Sequence, residues 1–566
     1  MTDAAAAVEA AKKALAEAEA ALAAEGRVAT SSTAGGSGPL DAAGIETIRA
    51  GYAFEGAVLE MGALVNGDAL PDVQVRIPVA MLNRHGLVAG ATGTGKTRTL
   101  QLLAEQLSAA GVPVFAADIK GDLSGIASPG EPSDKLLERT TGIGQHWAPA
   151  ASPTEYYTLG GQGTGIPIRA TVSSIGPLLL SKVLGLNATQ ESSLGLVFHY
   201  ADKAGLPLVG LDDLRAVLSW LISDEGKPEL KSLGGLGSAT AGVILRELIT
   251  FADQGADVFF GEPEIDTQLF LRQAADGRGI VSLLEIPGVQ DKPALFSTFL
   301  MWMLADLFNE LPEVGDIEKP KLVFFFDEAH LLFKDASSDF IDSITQTVRL
   351  IRSKGVGVVF VTQTPKDVPN DVLAQIGSRV QHQLRAHTPD DARALKQTVS
   401  TYPTSQYDLG EVLTSLATGE AIVTVMSERG APTPVAWTRL RAPQGSMQPT
   451  AADAMLATVN ASPLLKTYGT EIDRESAYEI LSVKMNAAAE AEAAAEQAKV
   501  QSAEEKKLAK QYEQEWKDAA SKRAPASRKT TVRKQSNPIA DALGSRTGQT
   551  VVREVLRGIF STLKKR

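Results

Sequence analysis

The sequence predicts an α/β fold built around a mainly parallel β-sheet, with a helical insertion and helix-rich terminal extensions. A glycine-rich loop at residues 90–97 joins an apolar run to a helical pattern. Five further apolar runs of strand length follow it, and helical patterns separate most of them. Continuous apolar strands that alternate with helices are typical of a parallel sheet covered on both faces. Ligands of such sheets bind at the carboxyl ends of the strands.

The glycine-rich loop fits the pattern G-x-x-x-x-G-K-[ST] at every fixed position. It reads Gly90-Ala91-Thr92-Gly93-Thr94-Gly95-Lys96-Thr97. In a strand–loop–helix context, the backbone N–H groups of such a loop and the helix N-terminus bind phosphate. We expect Lys96 to reach the β- and γ-phosphates of a nucleoside triphosphate and Thr97 to offer its hydroxyl to Mg²⁺. Arg98, the next residue, completes the predicted nucleotide-binding set.

The apolar run 321–326 delivers two acids, Asp327 and Glu328. In P-loop enzymes the first acid orients Mg²⁺, and the second polarises the attacking water. A glutamate directly after the aspartate favours hydrolysis over phosphoryl transfer to a metabolite, so we predict an ATPase. Residues 327–330 also spell the motif of the DEAH helicases, but no second helicase domain is visible, and we interpret this likeness as accidental.

Gln363 ends the apolar run 357–363, and we expect it to sense the γ-phosphate or to position the water. The alternative is a capping amide in the turn before Pro365. Arg349 and Arg352 lie in the segment that enters this run. In ring ATPases such a segment presents an arginine to the nucleotide of the next subunit. We predict this role for Arg352 first and Arg349 second, with solvent-facing arginines as the alternative.

Asp118 ends the second apolar run, at residues 112–118, and Asp122 follows shortly after it. They are predicted either to touch the water shell of the metal or to form a simple turn. The six histidines show no metal-ligand spacing, so Mg²⁺ is the only metal that we expect.

Composition excludes several classes of site and divides the chain by charge. There is no cysteine, which removes disulfides, thiol catalysis and cysteine-ligated zinc. The net charge is −12, yet residues 521–566 hold 12 Lys and Arg against 2 Asp and Glu. A basic tail on an acidic body suggests either a polyanionic partner or a contact between tail and body, and a merely solvated tail is the alternative. With no signal peptide and no apolar run of about 18 residues, we expect a cytoplasmic protein without an integral membrane segment.

Composition and periodicity also predict the organisation of the chain. Alanine and glutamate favour helices near both ends, glycine and serine favour a linker, and the last residues carry an amphipathic pattern. The predicted segments are an Ala/Glu-rich helix (1–26), a flexible linker (27–44), a small β element (45–80), the nucleotide domain in two parts (81–149 and 276–445, the second ending in a β-hairpin), a helical insertion between them (150–275), a helical extension (446–520), a basic linker (521–537) and a basic amphipathic helix (538–566).

Taken together, the motifs resemble the HerA/FtsK branch of P-loop ATPases. The resemblance rests on the loop 90–97, the acid pair 327–328, the segment 348–357, the strand that ends at 362–365 and the hairpin from Gly419. Residues 176–184, with Thr189-Gln190-Glu191 downstream, are similar to the YjgR type of HerA-like proteins. The resemblance spans about residues 45–465. It implies a RecA-like fold, a homo-hexameric ring, ATP hydrolysis between subunits and Arg352 as the arginine that acts in trans.

Two functions follow from this resemblance. The first is a ring-forming ATPase that translocates or remodels DNA, which the basic tail favours. The second is a ring ATPase that acts on protein partners, or an ATP-gated scaffold that recruits partners through its terminal helices. The acidic body favours the second, because a DNA-binding surface usually carries positive charge.

Overall fold

The computed structural model describes residues 38–522, apart from residues 233–236, 287–292, 316 and 334–337. The predicted N-terminal helix (1–26), the first part of the flexible linker, nearly all of the basic linker (521–537) and the C-terminal helix (538–566) lie outside the described residues. Within the described part, one compact unit ends at Asn486 and a second begins at Ala487.

Strands and helices alternate through most of the first unit, as predicted. The strands are β1 (Val58–Asn66), β2 (Asp68–Pro78), β3 (Gly86–Ala89), β4 (Val114–Asp118), β5 (Thr154–Leu159), β6 (Ile166–Ile168), β7 (Val281–Glu285), β8 (Leu322–Phe326), β9 (Val356–Thr362), β10 (Ser378–Gln381), β11 (Glu420–Val425) and β12 (Ala436–Leu440). The helices are α1 (Ala42–Gly51), α2 (Lys96–Ala109), α3 (Asp134–Gly142), α4 (Val172–Val183), α5 (Ala188–Ala204), α6 (Leu211–Ile222), α7 (Lys227–Ser232), α8 (Ser238–Asp253), α9 (Pro293–Glu310), α10 (His330–Phe333), α11 (Ser338–Ile351), α12 (Asn370–Leu373), α13 (Pro389–Val399), α14 (Leu409–Ser415), α15 (Ala452–Ala461), α16 (Leu464–Tyr468) and α17 (Ala477–Lys522).

The described strands form one sheet in the order β2-β1-β12-β11-β10-β3-β9-β8-β4-β7-β5-β6. All pairs from β10 to β6 are parallel, and the pairs from β2 to β10 are antiparallel. The predicted α/β fold with a mainly parallel sheet is therefore confirmed. The carboxyl ends of the parallel strands share one edge, which we call the carboxyl edge, and their amino ends form the amino edge.

The central strands are apolar along their whole length because helices cover both faces of the sheet. Every residue of β3, β4, β8 and β9 is buried. Beneath β4 and β8, the ring of Phe115 lies 5.3 Å from that of Phe324 and 4.9 Å from that of Phe270. This packed aromatic layer holds rigid the strands that carry the polar residues of the carboxyl edge.

The boundaries predicted for the helical insertion, 150–275, include two strands of the sheet. β5 extends the parallel sheet beyond β7, and β6 pairs with β5, so the helical part begins only at α4. β5 contains polar residues, and β6 has three residues, so neither shows the long apolar run that marks the central strands. β5 joins the sheet through β7, a strand more than 100 residues away in the chain, and β6 joins it through β5.

The predicted small β element (45–80) is more extensive than its short apolar runs indicate. It begins with α1 and continues as the hairpin β1–β2. β1 pairs with β12, so this hairpin and the predicted hairpin β11–β12 build one antiparallel extension of the sheet. Among the described helices, none combines the length and the apolar character needed to cross a membrane.

Candidate nucleotide site

The glycine-rich loop begins where β3 ends and is fixed by the neighbouring strands. The N–H of Gly90 donates to the carbonyl of Thr362 at 3.2 Å, and that of Ala91 donates to the carbonyl of Gln383 at 2.8 Å. Gly93 and Gly95 have φ angles of 83° and 113°, in the left-handed region that glycine adopts without strain. The loop is thus a preformed turn at the carboxyl edge that leads directly into α2.

Lys96, the first residue of α2, turns its side chain back over the loop. Its Nζ donates to the carbonyls of Gly90 and Ala91, at 2.7 and 3.2 Å. Burial lowers the pKa of Lys96, and the nearby carboxylates of Glu328 and Asp327 oppose that effect. The structure therefore brings the predicted lysine and both predicted acids into one electrostatic environment.

The acid pair follows β8 at the same edge. Burial and, after it, the charge of the adjacent Glu328 raise the pKa of Asp327 to about 6. Oδ1 of Asp327 accepts a hydrogen bond from the N–H of Glu328 at 2.9 Å. Glu328 is itself 5% exposed and has a φ of 50°, a left-handed conformation that is uncommon outside glycine. Such backbone conformations tend to occur at functional sites, which supports a role for this residue.

Lys120 is a residue of this site that sequence reasoning missed. Its Nζ forms an ion pair with Oε1 of Glu328, while Nδ1 of His330 lies 3.3 Å from Oε2. Burial raises the pKa of Glu328, but Lys120 and His330 outweigh this effect, and the net pKa is lowered. The signal in the sequence was only that Lys120 follows an apolar strand. Its pairing with Glu328 depends on β4 lying beside β8.

Gln363 follows β9, the strand between β3 and β8. The two residues before it are hydrogen-bonded to the segments on either side of β9. The carbonyl of Thr362 accepts from the N–H of Gly90 in the loop, and that of Val361 accepts from the N–H of Ala329 at 2.8 Å. The turn itself is capped by Asp367, whose Oδ2 accepts from the hydroxyl of Thr362 at 2.7 Å and from the N–H of Thr364 at 3.2 Å. The capping role that was the alternative for Gln363 therefore belongs to Asp367. Gln363 is exposed between the loop and the acids.

The structure favours the turn interpretation for Asp118. This carboxylate is 3% exposed, and its Oδ2 accepts from the N–H groups of Leu123 and Ser124 at 2.8 and 3.1 Å. Asp118 thereby closes the loop that presents Lys120.

Arg98 and Thr97 lie in the first turn of α2, and both are partly buried. The guanidinium of Arg98 donates to Oε1 of Gln101 at 3.1 Å and to the carbonyl of Met447. Thr97 follows Lys96 directly and lies where a hydroxyl at a helix N-terminus could meet a phosphate-bound cation. Nucleotide contacts of these two side chains stay predictions.

Arg349 and Arg352 lie away from these residues. Arg352 opens the short 3₁₀ turn Arg352–Lys354 that leads into β9, so it lies at the amino edge of the sheet. The loop 90–97 follows the carboxyl end of the parallel neighbour β3, and the seven residues of β9 separate the two positions by roughly 20 Å. Arg349 is exposed on α11. Neither arginine is placed to serve the phosphate loop of its own chain.

The donor set at the carboxyl edge fits a magnesium-bound triphosphate. The loop offers backbone N–H groups and a lysine of the kind that bind phosphates, and the oxygens of Thr97 and Asp327 are hard ligands of the kind that Mg²⁺ prefers. Oε2 of Glu328 is buried and accepts no hydrogen bond from the described residues. A buried carboxylate oxygen in that state is suited to accept a hydrogen bond from a water molecule.

Several known proteins are similar to this chain in sequence or in structure. The chain is 23% identical over 378 residues to the DNA double-strand break repair helicase HerA of Sulfurisphaera tokodaii, a match that covers 65% of this chain and 67% of that protein. A probable helicase of Methanocaldococcus jannaschii is 31% identical over 153 residues, which cover 25% of this chain and 28% of that protein. Among solved structures, the bacterial conjugative coupling protein TrwBdeltaN70 has a TM-score of 0.48 and 14% identity, with 72% of this chain and 94% of that chain covered.

A family model described as Helicase HerA-like C-terminal matches residues 64–566, well over half of the chain. The match includes the glycine-rich loop, the acid pair and the terminal hairpin on which the resemblance rested. The predicted resemblance to HerA-type P-loop ATPases is therefore confirmed, and the chain belongs to the Helicase HerA-like C-terminal family.

Proposed function

We propose that this protein hydrolyses ATP with Mg²⁺ at the carboxyl edge of its sheet and uses that reaction to move or remodel DNA as a ring. The observation that supports hydrolysis is the convergence of Lys96, Asp327 and Glu328 beside the glycine-rich loop. In P-loop enzymes, loop amides and a lysine bind the phosphates. The first acid of the pair binds the metal, and the second activates the attacking water.

In the proposed mechanism, the N–H groups of the loop other than those of Gly90 and Ala91, together with the ammonium of Lys96, hold the phosphate chain and balance its charge. Thr97 and Asp327 would hold Mg²⁺, which would neutralise negative charge on the phosphates when bound. Oε2 of Glu328 orients the attacking water, and Gln363 contacts either that water or the γ-phosphate. Because hydrolysis needs little covalent chemistry from the protein, correct placement of these groups provides most of the rate.

The motor part of the proposal rests on the family and on charge. The relative from Sulfurisphaera tokodaii is named as a DNA repair helicase. The basic residues of segment 521–566 provide a sequence-independent means to contact a polyanion. Ring assembly would place an arginine of one subunit, Arg352 in our proposal, near the nucleotide of the next.

Replacement of Lys96 by alanine tests the phosphate site. We expect Lys96→Ala to lose ATP binding or turnover by at least about 100-fold, because it removes the charge that lies over the loop. Calorimetric titration with ATP and magnesium, together with a phosphate-release assay, measures both quantities. Lys135→Ala, which removes an exposed lysine of α3, is the matched control. Hydrolysis at the wild-type rate in Lys96→Ala would contradict the assignment.

Replacement of Glu328 by glutamine separates binding from hydrolysis. Glutamine keeps the shape of the side chain but cannot act as a base, so Glu328→Gln should bind ATP while its kcat falls about 100-fold or more. ATP binding is measured by calorimetry and hydrolysis by single-turnover kinetics. A variant that hydrolyses ATP normally would show that another group activates the water.

The response to duplex DNA distinguishes a DNA motor from a motor that acts on proteins. We expect duplex DNA to raise the ATPase rate at low salt and to lose this effect as salt rises, since phosphate contacts release counterions. A chain that ends at Lys522 should respond less, because it lacks most of the basic tail. No stimulation of the full chain at low ionic strength would favour the protein-directed alternative.

A further inference from the structure

The two carboxylate oxygens of Glu328 have different environments. Oε1 is held by the ammonium of Lys120. Oε2 lies 3.3 Å from Nδ1 of His330 but without hydrogen-bond geometry, so it accepts no hydrogen bond within the described part of the chain. The side chain is 7% exposed, whereas that of Lys120 is 41% exposed. The carboxylate is therefore fixed through one oxygen and left with acceptor capacity at the other.

This difference matters for a group that activates water. A carboxylate polarises water through an oxygen that no protein donor already occupies, and its orientation must be fixed before the reaction. A buried oxygen without a donor otherwise destabilises the folded state. The ion pair at Oε1 supplies the orientation, and Oε2 supplies the available acceptor.

The backbone that carries Lys120 is fixed independently of Glu328. β4 and β8 are parallel neighbours, with Ala117 opposite Phe326, so Lys120 and Glu328 emerge side by side at the carboxyl edge. The turn after β4 is closed by Asp118, which accepts two backbone N–H groups through Oδ2. Lys120 therefore lies on a hydrogen-bonded turn that follows β4, and β4 is the neighbour of β8, the strand that precedes the acids.

We propose that Lys120 is a positioning residue for ATP hydrolysis, which holds Oε1 of Glu328 so that Oε2 faces the attacking water. The inference rests on the proposed hydrolysis at this site. Because Lys120 acts through Glu328, it raises the rate of the hydrolytic step and contributes little to the affinity for ATP.

Steady-state kinetics of Lys120→Ala in the full chain test this role. Because general base catalysis contributes about 100- to 10,000-fold, loss of its orientation should lower kcat by roughly 10- to 100-fold. The KM for ATP should change by less than about threefold, since the phosphate contacts are retained. Lys120→Arg, which restores a cation of similar reach, should recover a large part of kcat. Lys366→Ala, at an exposed lysine that follows β9 on the same edge, is the matched control and should behave as the wild type.

A double-mutant comparison shows whether Lys120 acts through Glu328. In the Glu328→Gln background, Lys120→Ala should cost little further activity, because the carboxylate that it orients is already absent. An equal loss in both backgrounds, or an unchanged or increased kcat for Lys120→Ala alone, would overturn the proposal. Lys120→Met, which keeps the aliphatic chain, replaces the alanine variant if that variant melts below the wild type. A wild-type protein that neither binds nor hydrolyses ATP would instead refute the proposed function itself.

Discussion

His85, immediately before β3 at the amino edge of the sheet, shows how a titratable residue can have a structural task. Its Nδ1 accepts from the N–H of Val358 at 3.1 Å, and its Nε2 lies 2.7 Å from the carbonyl of Val348. These partners assign the proton of the neutral ring to Nε2. Burial lowers the pKa of His85 to about 4, and the charge of Arg352 contributes in the same direction. The ring thus joins β3, β9 and α11 only in its neutral form.

Acidification should weaken this junction. The pKa of His85 is about 4 in the folded chain and 6.5 for the free side chain, so the unfolded state binds the proton more readily. The stability that the neutral ring contributes is fully present above about pH 6.5 and is lost as pH falls toward 4, by up to about 3 kcal/mol. Apparent melting temperatures between pH 8 and pH 4 measure the effect.

His85→Asn is the matched variant for this experiment. Asparagine tolerates the positive φ of 61° at this position and can accept from the N–H of Val358, but it does not titrate. The difference in melting temperature between the wild type and His85→Asn should shrink or reverse on acidification. A difference that stays constant with pH would show that His85 does not titrate on unfolding.

Local spacing in the sequence predicts which of the candidate site residues lie together. Lys96 and the pair at 327–328 follow from the loop pattern and from an apolar run that ends in acids, and the structure brings them together. Lys120 could not be found in this way, because its ion pair with Glu328 joins two neighbouring strands that are far apart in the chain. Asp367 was missed for a different reason: Thr364 and Asp367 form a local capping box, a spacing that the sequence does show.

At the scale of elements, the phosphate-loop helix α2 is held by the segment 444–447, which we call the strap. Glu105 is 8% exposed, and its carboxylate accepts from the N–H groups of Gln444 at 2.7 Å and Gly445 at 2.8 Å. Gln101 donates to the carbonyl of Ser446 at 3.1 Å. Side chains four residues apart on one face of α2 thus form hydrogen bonds with the backbone N–H and carbonyl groups of the strap.

Glu105→Ala should loosen the strap and destabilise the nucleotide domain. The substitution leaves the buried N–H group of Gly445 and the partly buried one of Gln444 without acceptors, at a cost of about 2–4 kcal/mol in total. The apparent melting temperature should fall by several degrees. Glu138→Ala, at an exposed glutamate of α3, is the control and should melt as the wild type. Equal melting temperatures for Glu105→Ala and the wild type would show that water replaces the lost acceptor.

Element prediction from the sequence was accurate where periodicity is strong. The apolar runs 112–118, 321–326 and 357–363 lie within a few residues of β4, β8 and β9. β5 and β6 were missed because they are short and partly polar, and the antiparallel extension was underestimated because its strands are far apart in the chain. Local pattern fixes whether a segment is a helix or a strand, but strand order is a property of the whole sheet.

At the scale of the molecule, the sheet separates two sets of charged residues. Lys96, the acid pair and Lys120 lie at the carboxyl edge, whereas Arg352 lies at the amino edge, with the length of β9 between them. An arginine so placed cannot neutralise charge on its own chain's nucleotide. A contribution of Arg352 to hydrolysis therefore requires a second copy of the chain, as in a cyclic ring with head-to-tail interfaces.

Mixing two inactive variants tests this arrangement. Arg352→Ala keeps an intact phosphate loop, and Lys96→Ala keeps an intact arginine, so neither homo-oligomer should hydrolyse ATP efficiently. In rings mixed at equal amounts, about a quarter of the interfaces join the two intact halves, and ATPase activity should reappear in that proportion. Native mass spectrometry establishes that the subunits have exchanged. The same mixture made with Arg349→Ala decides which arginine acts, and mixed rings without recovered activity would exclude Arg352 from the neighbouring site.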